Sequence, residues 1–162
     1  MVLTPTGERA IETLKVGGWV CSKEEVLDPP NENVAHRIRA VRKYPISCIQ
    51  SLKLTTGEEI RSTGHHNFST SRGWKRLEQL TEEDSLFIVQ DGIPRLVRIE
   101  TINRNVASEE VWNLIVDGPA TFIASGAIVS SFTTLRWART ILGRMTSSSH
   151  LTDFRYSPSA NT

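Results

Sequence analysis

The densest run of chemically capable side chains in this 162-residue sequence is Ser62-Thr-Gly-His-His-Asn-Phe68, with two adjacent imidazoles and a hydroxyl, Thr63, three residues before His66. Imidazole moves protons near neutral pH, so general acid–base chemistry is the first reading. A metal site is not expected. Neighbouring residues on a strand point to opposite faces, and adding His36, Cys21 or Cys48 gives no recognised ligand spacing. A serine-hydrolase elbow is absent, since Gly126-Ala-Ile-Val-Ser130 lacks the second glycine. Cys48 with His66 leaves a thiol-protease pairing open, although Ile46-Ser-Cys-Ile49 is an apolar strand context in which a buried, inert thiol is expected. Arg37-Ile-Arg39-Ala-Val-Arg42-Lys43 has no aromatic platform and reads as the solvated face of a strand rather than a phosphate-binding one.

The elements that must position these groups are short strands. Val34 to Arg42 alternates with period two, Pro45 interrupts, and Ile49 to Leu54 resumes the pattern. Thr56-Gly57 predicts a hairpin turn between Leu52–Thr55 and Ile60–Thr63, and Asp91-Gly92 a second between Ser85–Gln90 and Leu96–Ile102. Glu110–Val116, Thr121–Ala124 and Ala127–Ser130 follow, separated by Asp117-Gly118-Pro119 and Ser125-Gly126 turns. The inventory is all-β, with a core expected around Val20, Leu52, Leu86, Val97, Leu114 and Ile128. An offset of about 66 residues superposes two stretches: Val2-Leu-Thr4 falls on Phe68-Ser-Thr70, Gly7 on Gly73, Ile11-Glu12 on Leu77-Glu78, and Val20 on Leu86. Two intertwined β subunits related by pseudo-symmetry are therefore expected.

Composition narrows the function classes. With 19 basic and 18 acidic residues the net charge is +1, and bulk electrostatics gives no reason to expect nucleic-acid or membrane binding. The two cysteines allow one disulfide at most, and a redox-indifferent or cytosolic protein is the simpler reading. Glu8, Arg9, Glu12 and Lys15 argue against a signal peptide within the first twenty residues. The basic excess sits at the end, where Arg136, Arg139, Arg144 and Arg155 face Asp153 alone. From Thr133, a helix N-cap, the residues Leu135, Ala138, Ile141, Leu142 and Met145 share a face. The expected layout is a body over 1–132, a basic amphipathic helix over 133–145 and a disordered tail over 146–162.

The stretch from Ser62 to Phe68 has company: Arg72-Gly-Trp74 and Leu77-Glu-Gln-Leu80 after it, Leu3-Thr-Pro-Thr-Gly7 and Ile11-Glu-Thr-Leu-Lys-Val-Gly17 before it, then Val111-Trp-Asn-Leu-Ile-Val116 and Phe122-Ile-Ala-Ser-Gly-Ala-Ile-Val129. In order and spacing these blocks resemble the Hint (Hedgehog/intein) superfamily, most similarly its polymorphic-toxin-type and intein-like domains, over about residues 2 to 132. The resemblance implies an all-β Hint fold of two pseudo-symmetric β subunits, to which the sequence would add a short C-terminal helix. It also implies an autoprocessing activity, in which a leading Cys or Ser attacks the preceding carbonyl and converts an amide into a thioester or ester. A Thr-x-x-His motif serves that reaction at the scissile nitrogen. Thr63-Gly64-His65-His66 matches it, which makes His66 the implied acid/base and Thr63 its orienting partner.

Other positions depart from the family pattern. Position 1 is Met, whose thioether cannot accept an acyl group, so cleavage there is expected only where a Cys or Ser precedes it. Asn113 stands at the second-half acidic position, where it can hydrogen-bond but cannot act as a base, and Ala120 replaces the histidine that follows. Ser130-Ser131 replaces the final His-Asn pair, Phe132 follows, and Gly17-Gly18 stands where the second copy keeps a turn aspartate, Asp84. Splicing is therefore not expected. No cofactor is implied, and the expected partners are flanking segments of the same polypeptide, with a protein partner at 133–145 as a further option. No nucleic acid and a monomeric state are expected. The competing reading is a degenerate, non-catalytic Hint fold kept as a structural or protein-binding module.

Overall fold

A computed structural model describes residues 1–23, 33–118 and 120–131. The expected helix over 133–145 and tail over 146–162 lie outside these residues. Among the described residues eleven strands form one antiparallel assembly: β1 (Val2–Thr4), β2 (Gly7–Arg9), β3 (Trp19–Ser22), β4 (Val34–Leu54), β5 (Glu59–Thr63), β6 (Asn67–Thr70), β7 (Gly73–Arg76), β8 (Ser85–Gln90), β9 (Ile93–Val116), β10 (Thr121–Ala124) and β11 (Ala127–Ser130). The hydrogen-bonded path runs β2-β1-β10-β11-β6-β8-β9-β4-β3, with β5 on β4 and β7 on β6.

The internal repeat is visible down to single hydroxyls. Thr4 and Thr70 each donate to the carbonyl three residues on, Gly7 and Gly73, at 2.6 Å in both copies. Those glycines sit at φ +112° and +91°, a region closed to most side chains, and let each chain turn straight back. A 3₁₀ turn follows in each copy, Ile11–Thr13 and Leu77–Gln79. The copies differ at the next turn. Asp84, 1% exposed, takes the Lys75 ammonium at 2.6 Å and the Thr81 N–H at 3.0 Å. At the equivalent Gly18 a β-carbon would lie 3.1 Å from the Lys15 carbonyl and 3.5 Å from Ile38, which leaves no comfortable place for a side chain.

The two long strands hold the halves together. β4 and β9 pair from Ile38↔Val116 to Leu54↔Ile99, so the two segments expected on either side of Pro45 are one strand, as are Leu96–Ile102 and Glu110–Val116. The reason is local: Tyr44 pairs with Val111 and Ser47 with Glu109, so the ladder skips a residue where Pro45 has no N–H to offer. Hairpins at Thr56-Gly57 and Asp91-Gly92 form as expected, with Leu52↔Ile60 and Gln90↔Ile93 in register. Val20, Leu52, Leu86, Val97 and Leu114 are all buried in the main core, while Ile128 joins Cys21 and Ile123 in a smaller one. Removing a side chain such as Leu52 from water stabilises the fold by about 1.5–3 kcal/mol.

Candidate functional site

The Thr63–His66 turn is fixed before any chemistry is considered. The His66 N–H returns to the Thr63 carbonyl at 3.2 Å, and the 3₁₀ turn at Leu77–Gln79 fastens both strands of the loop. Leu77 N–H donates to the His66 carbonyl and Glu78 N–H to the Gly64 carbonyl, each at 2.9 Å. A β-carbon at Gly64 would stand 2.8 Å from the Gln50 amide nitrogen and 3.3 Å from the Glu78 side chain, so a larger residue there would push the Gln50 amide aside. His65 turns outward and sits 3.1 Å from the Glu78 carboxylate. His66 turns inward. The two imidazoles therefore part, although they sit in the turn between β5 and β6 rather than on a strand.

The His66 ring meets Phe68 edge-on, with centroids 5.7 Å apart, and Phe122 at 6.4 Å. Those phenyl rings stand over one row of cross-strand neighbours, Phe68↔Val129 on β6 and β11, then Val129↔Phe122 on β10. Removing water from around the imidazole disfavours its cation, and burial pushes His66 down from 6.5 to about 4. The ring is neutral at physiological pH.

His66 opens on a cavity of about 670 Å³ that Thr63, Asn113 and Met1 also line. The three residues implicated by sequence thus come together, from β5, the turn after it, and β9. Thr63 contributes through its carbonyl, and its link to His66 is main-chain. Asn113 is 6% exposed; its Nδ2 donates to the Ser131 carbonyl at 3.2 Å and its Oδ1 accepts the Leu114 N–H at 2.9 Å. Met1 arrives as the residue before β1, and its carbonyl accepts the Ser125 N–H at 2.9 Å. Both ends of the β body, Met1 and Ser131, are therefore held at groups around one cavity.

Several wall residues were not legible in the sequence. Tyr44 and Pro45 line the cavity from the β4 bulge and Trp112 faces them from β9, while Phe122 closes it from β10. No spacing signals this, because the residues meet only through the placement of three strands, β4, β9 and β10. Cys48 corrects an expectation. It is exposed rather than buried, because Ile49 takes the inward side of β4, and its thiol makes only long contacts with Asn105 Oδ1 (3.6 Å) and the Arg104 carbonyl (3.9 Å). Cys21 is the buried thiol, and both cysteines are free. The basic run on β4 behaves as expected, with Arg37, Arg39, Arg42 and Lys43 all exposed.

Solved structures share this architecture. A DnaB intein from Synechocystis sp. PCC 6803 superposes with a TM-score of 0.70 over 80% of this chain and 92% of the intein, at 24% identity. A mutant of an Ssp DnaB mini-intein variant gives 0.71 over 80% and 85%, at 23% identity. The gp41-1 intein gives 0.67 over 80% and 91%, also at 23%. The sequence itself matches no protein-family model and no curated protein. Two pseudo-symmetric β subunits, joined by a pair of long strands and superposable on these inteins, give the chain the Hint fold that those inteins share.

Proposed function

We propose that the chain is an autoprocessing domain that acts on flanking segments of its own polypeptide, with the body over 1–132 as the reactive unit and 133–162 as a downstream segment. The observation that carries this reading is the half-buried His66, held neutral between Phe68 and Phe122 in a cavity that also receives Met1. A neutral imidazole can take the proton of a thiol or hydroxyl preceding Met1 as that group attacks a carbonyl. The imidazolium so formed is a strong acid in dry surroundings and passes the proton to the departing amide nitrogen. One residue thereby serves as base and then as acid. Thr63 positions it through the main-chain turn, and Asn113 holds the far end of the body against the same cavity.

Complete splicing is outside this reading. Ser131 has no side-chain amide to cyclise, and Met1 is not a nucleophile. Fusing an upstream segment that carries a Cys a few residues before Met1 and adding hydroxylamine tests it: a cut before that Cys, abolished by H66A, is expected. Uncut fusion, or cutting indifferent to His66, would leave a non-catalytic Hint fold as the better account.

A further inference from the structure

The carboxyl end of the body holds a hydroxyl with nothing to bond. Ser131 is 4% exposed, and its Oγ is buried without a hydrogen-bond partner among the described residues. Buried polar groups in native proteins are nearly always paired, so an exception at a defined place asks for a role. The rest of Ser131 is, by contrast, tightly held. Its N–H donates to the Ala120 carbonyl at 2.6 Å, and its carbonyl accepts from Asn113 Nδ2 at 3.2 Å. Ala120 itself adopts φ +56°, a left-handed conformation that a residue with a β-carbon keeps only when its surroundings impose it.

We propose that Ser131 is the nucleophile of a second acyl shift, at the Ser130–Ser131 peptide bond, in which the unpartnered hydroxyl attacks the carbonyl immediately before it. The bond from Ser131 Oγ to the Ser130 carbonyl carbon forms, the bond from that carbon to the Ser131 nitrogen breaks, and the hydroxyl proton ends on the freed nitrogen. The product is an ester open to water, with Ser131 carrying a new amine. Three contacts favour this course. The hydroxyl has no competing acceptor to hold it away from the carbonyl. The Ala120 oxygen lies where the leaving nitrogen gains positive charge, and an acceptor there stabilises the ammonium. Asn113 clamps the residue from its other side, which keeps Ser131 from following the bond rotation in reverse. The nucleophile, the scissile bond and the fragments all differ from those at the amino-terminal junction, so failure of either reaction leaves the other standing.

Prolonged incubation of the folded chain with hydroxylamine tests the proposal, read by mass spectrometry. The sequence has no Asn-Gly pair, the bond that hydroxylamine cuts unaided. Expected are a fragment over 1–130 ending in a hydroxamate and a complementary fragment beginning at Ser131, both absent from S131A. In S131C, where the product is a thioester, cleavage is expected at least about tenfold faster and with a simple thiol in place of hydroxylamine. N113A is expected to slow the parent reaction about tenfold. Circular dichroism of each variant confirms that it is folded. Cleavage that persists in S131A, that is confined to S131C, or that is absent throughout would overturn the assignment.

Discussion

The imidazole of His66 has two phenyl rings for neighbours where water would otherwise hydrate its cation. An unfolded chain binds a proton at this histidine near pH 6.5 and the folded one only near 4. Between those values the unfolded state holds more protons, so stability falls as the pH is lowered through that window and is flat above it. The ceiling on this contribution is about 3 kcal/mol. Urea unfolding at pH 7.5 and pH 4.5 is expected to show the loss, with H66Q removing the larger part of it, and the His66 ring resonances should titrate with a midpoint near 4. Thr63, His66 and Asn113 were legible because each belongs to a short contiguous block. Phe122 and Trp112 were not, since nothing in the sequence says which strands will bring them to the same ring. Cys48 was misjudged because alternation in Ile46-Ser-Cys-Ile49 does not say which of its phases faces in.

At the scale of elements, the Leu77–Gln79 turn is what holds the His66 loop, and Arg104 is what holds the turn. From β9 its guanidinium donates to the Leu77 carbonyl at 2.6 Å, to the Leu80 carbonyl at 2.5 Å and to Gln50 Oε1 at 3.1 Å. Gln50 in turn packs on Gly64. R104A is expected to lower stability by about 1–3 kcal/mol and to shift the His66 resonances, although Arg104 does not itself line the cavity; R104K should restore part of both. The repeat offset aligns Ile11-Glu12 with Leu77-Glu78, and both pairs lie in 3₁₀ turns, a type that the alignment alone does not specify. The continuity of β4 through Pro45 was hidden, since it depends on the partner strand skipping a residue. Asp84 shows a second consequence of the repeat. Burial alone would push its carboxyl up, but the hydrogen bonds from Lys75 and Thr81 outweigh that and hold it below the usual carboxylate range. D84A leaves the Lys75 ammonium without its carboxylate, and a loss of about 3 kcal/mol in unfolding free energy is expected. The carboxylate's contribution is present above its ordinary pKa and disappears in acid, so the D84A and parent curves should converge at low pH.

For the whole molecule, the two long strands β4 and β9 join the two halves, and the path β1-β10-β11 brings Met1 to the cavity wall and Ser131 to Asn113, a residue of that wall. The two-subunit body was foreseeable from the repeat and the family-like blocks. Fold and chemistry are separable here: the core around Leu52, Leu86 and Leu114 is independent of any reactive side chain. What remains distinctive is a neutral histidine on a cavity that Met1 also lines. Its most direct test is the single-turnover rate of thiol-induced cleavage in a fusion carrying Cys before Met1, measured side by side in the parent and H66A proteins. A rate at least about 100-fold lower in H66A is the predicted result, and equal rates in the two proteins would contradict it.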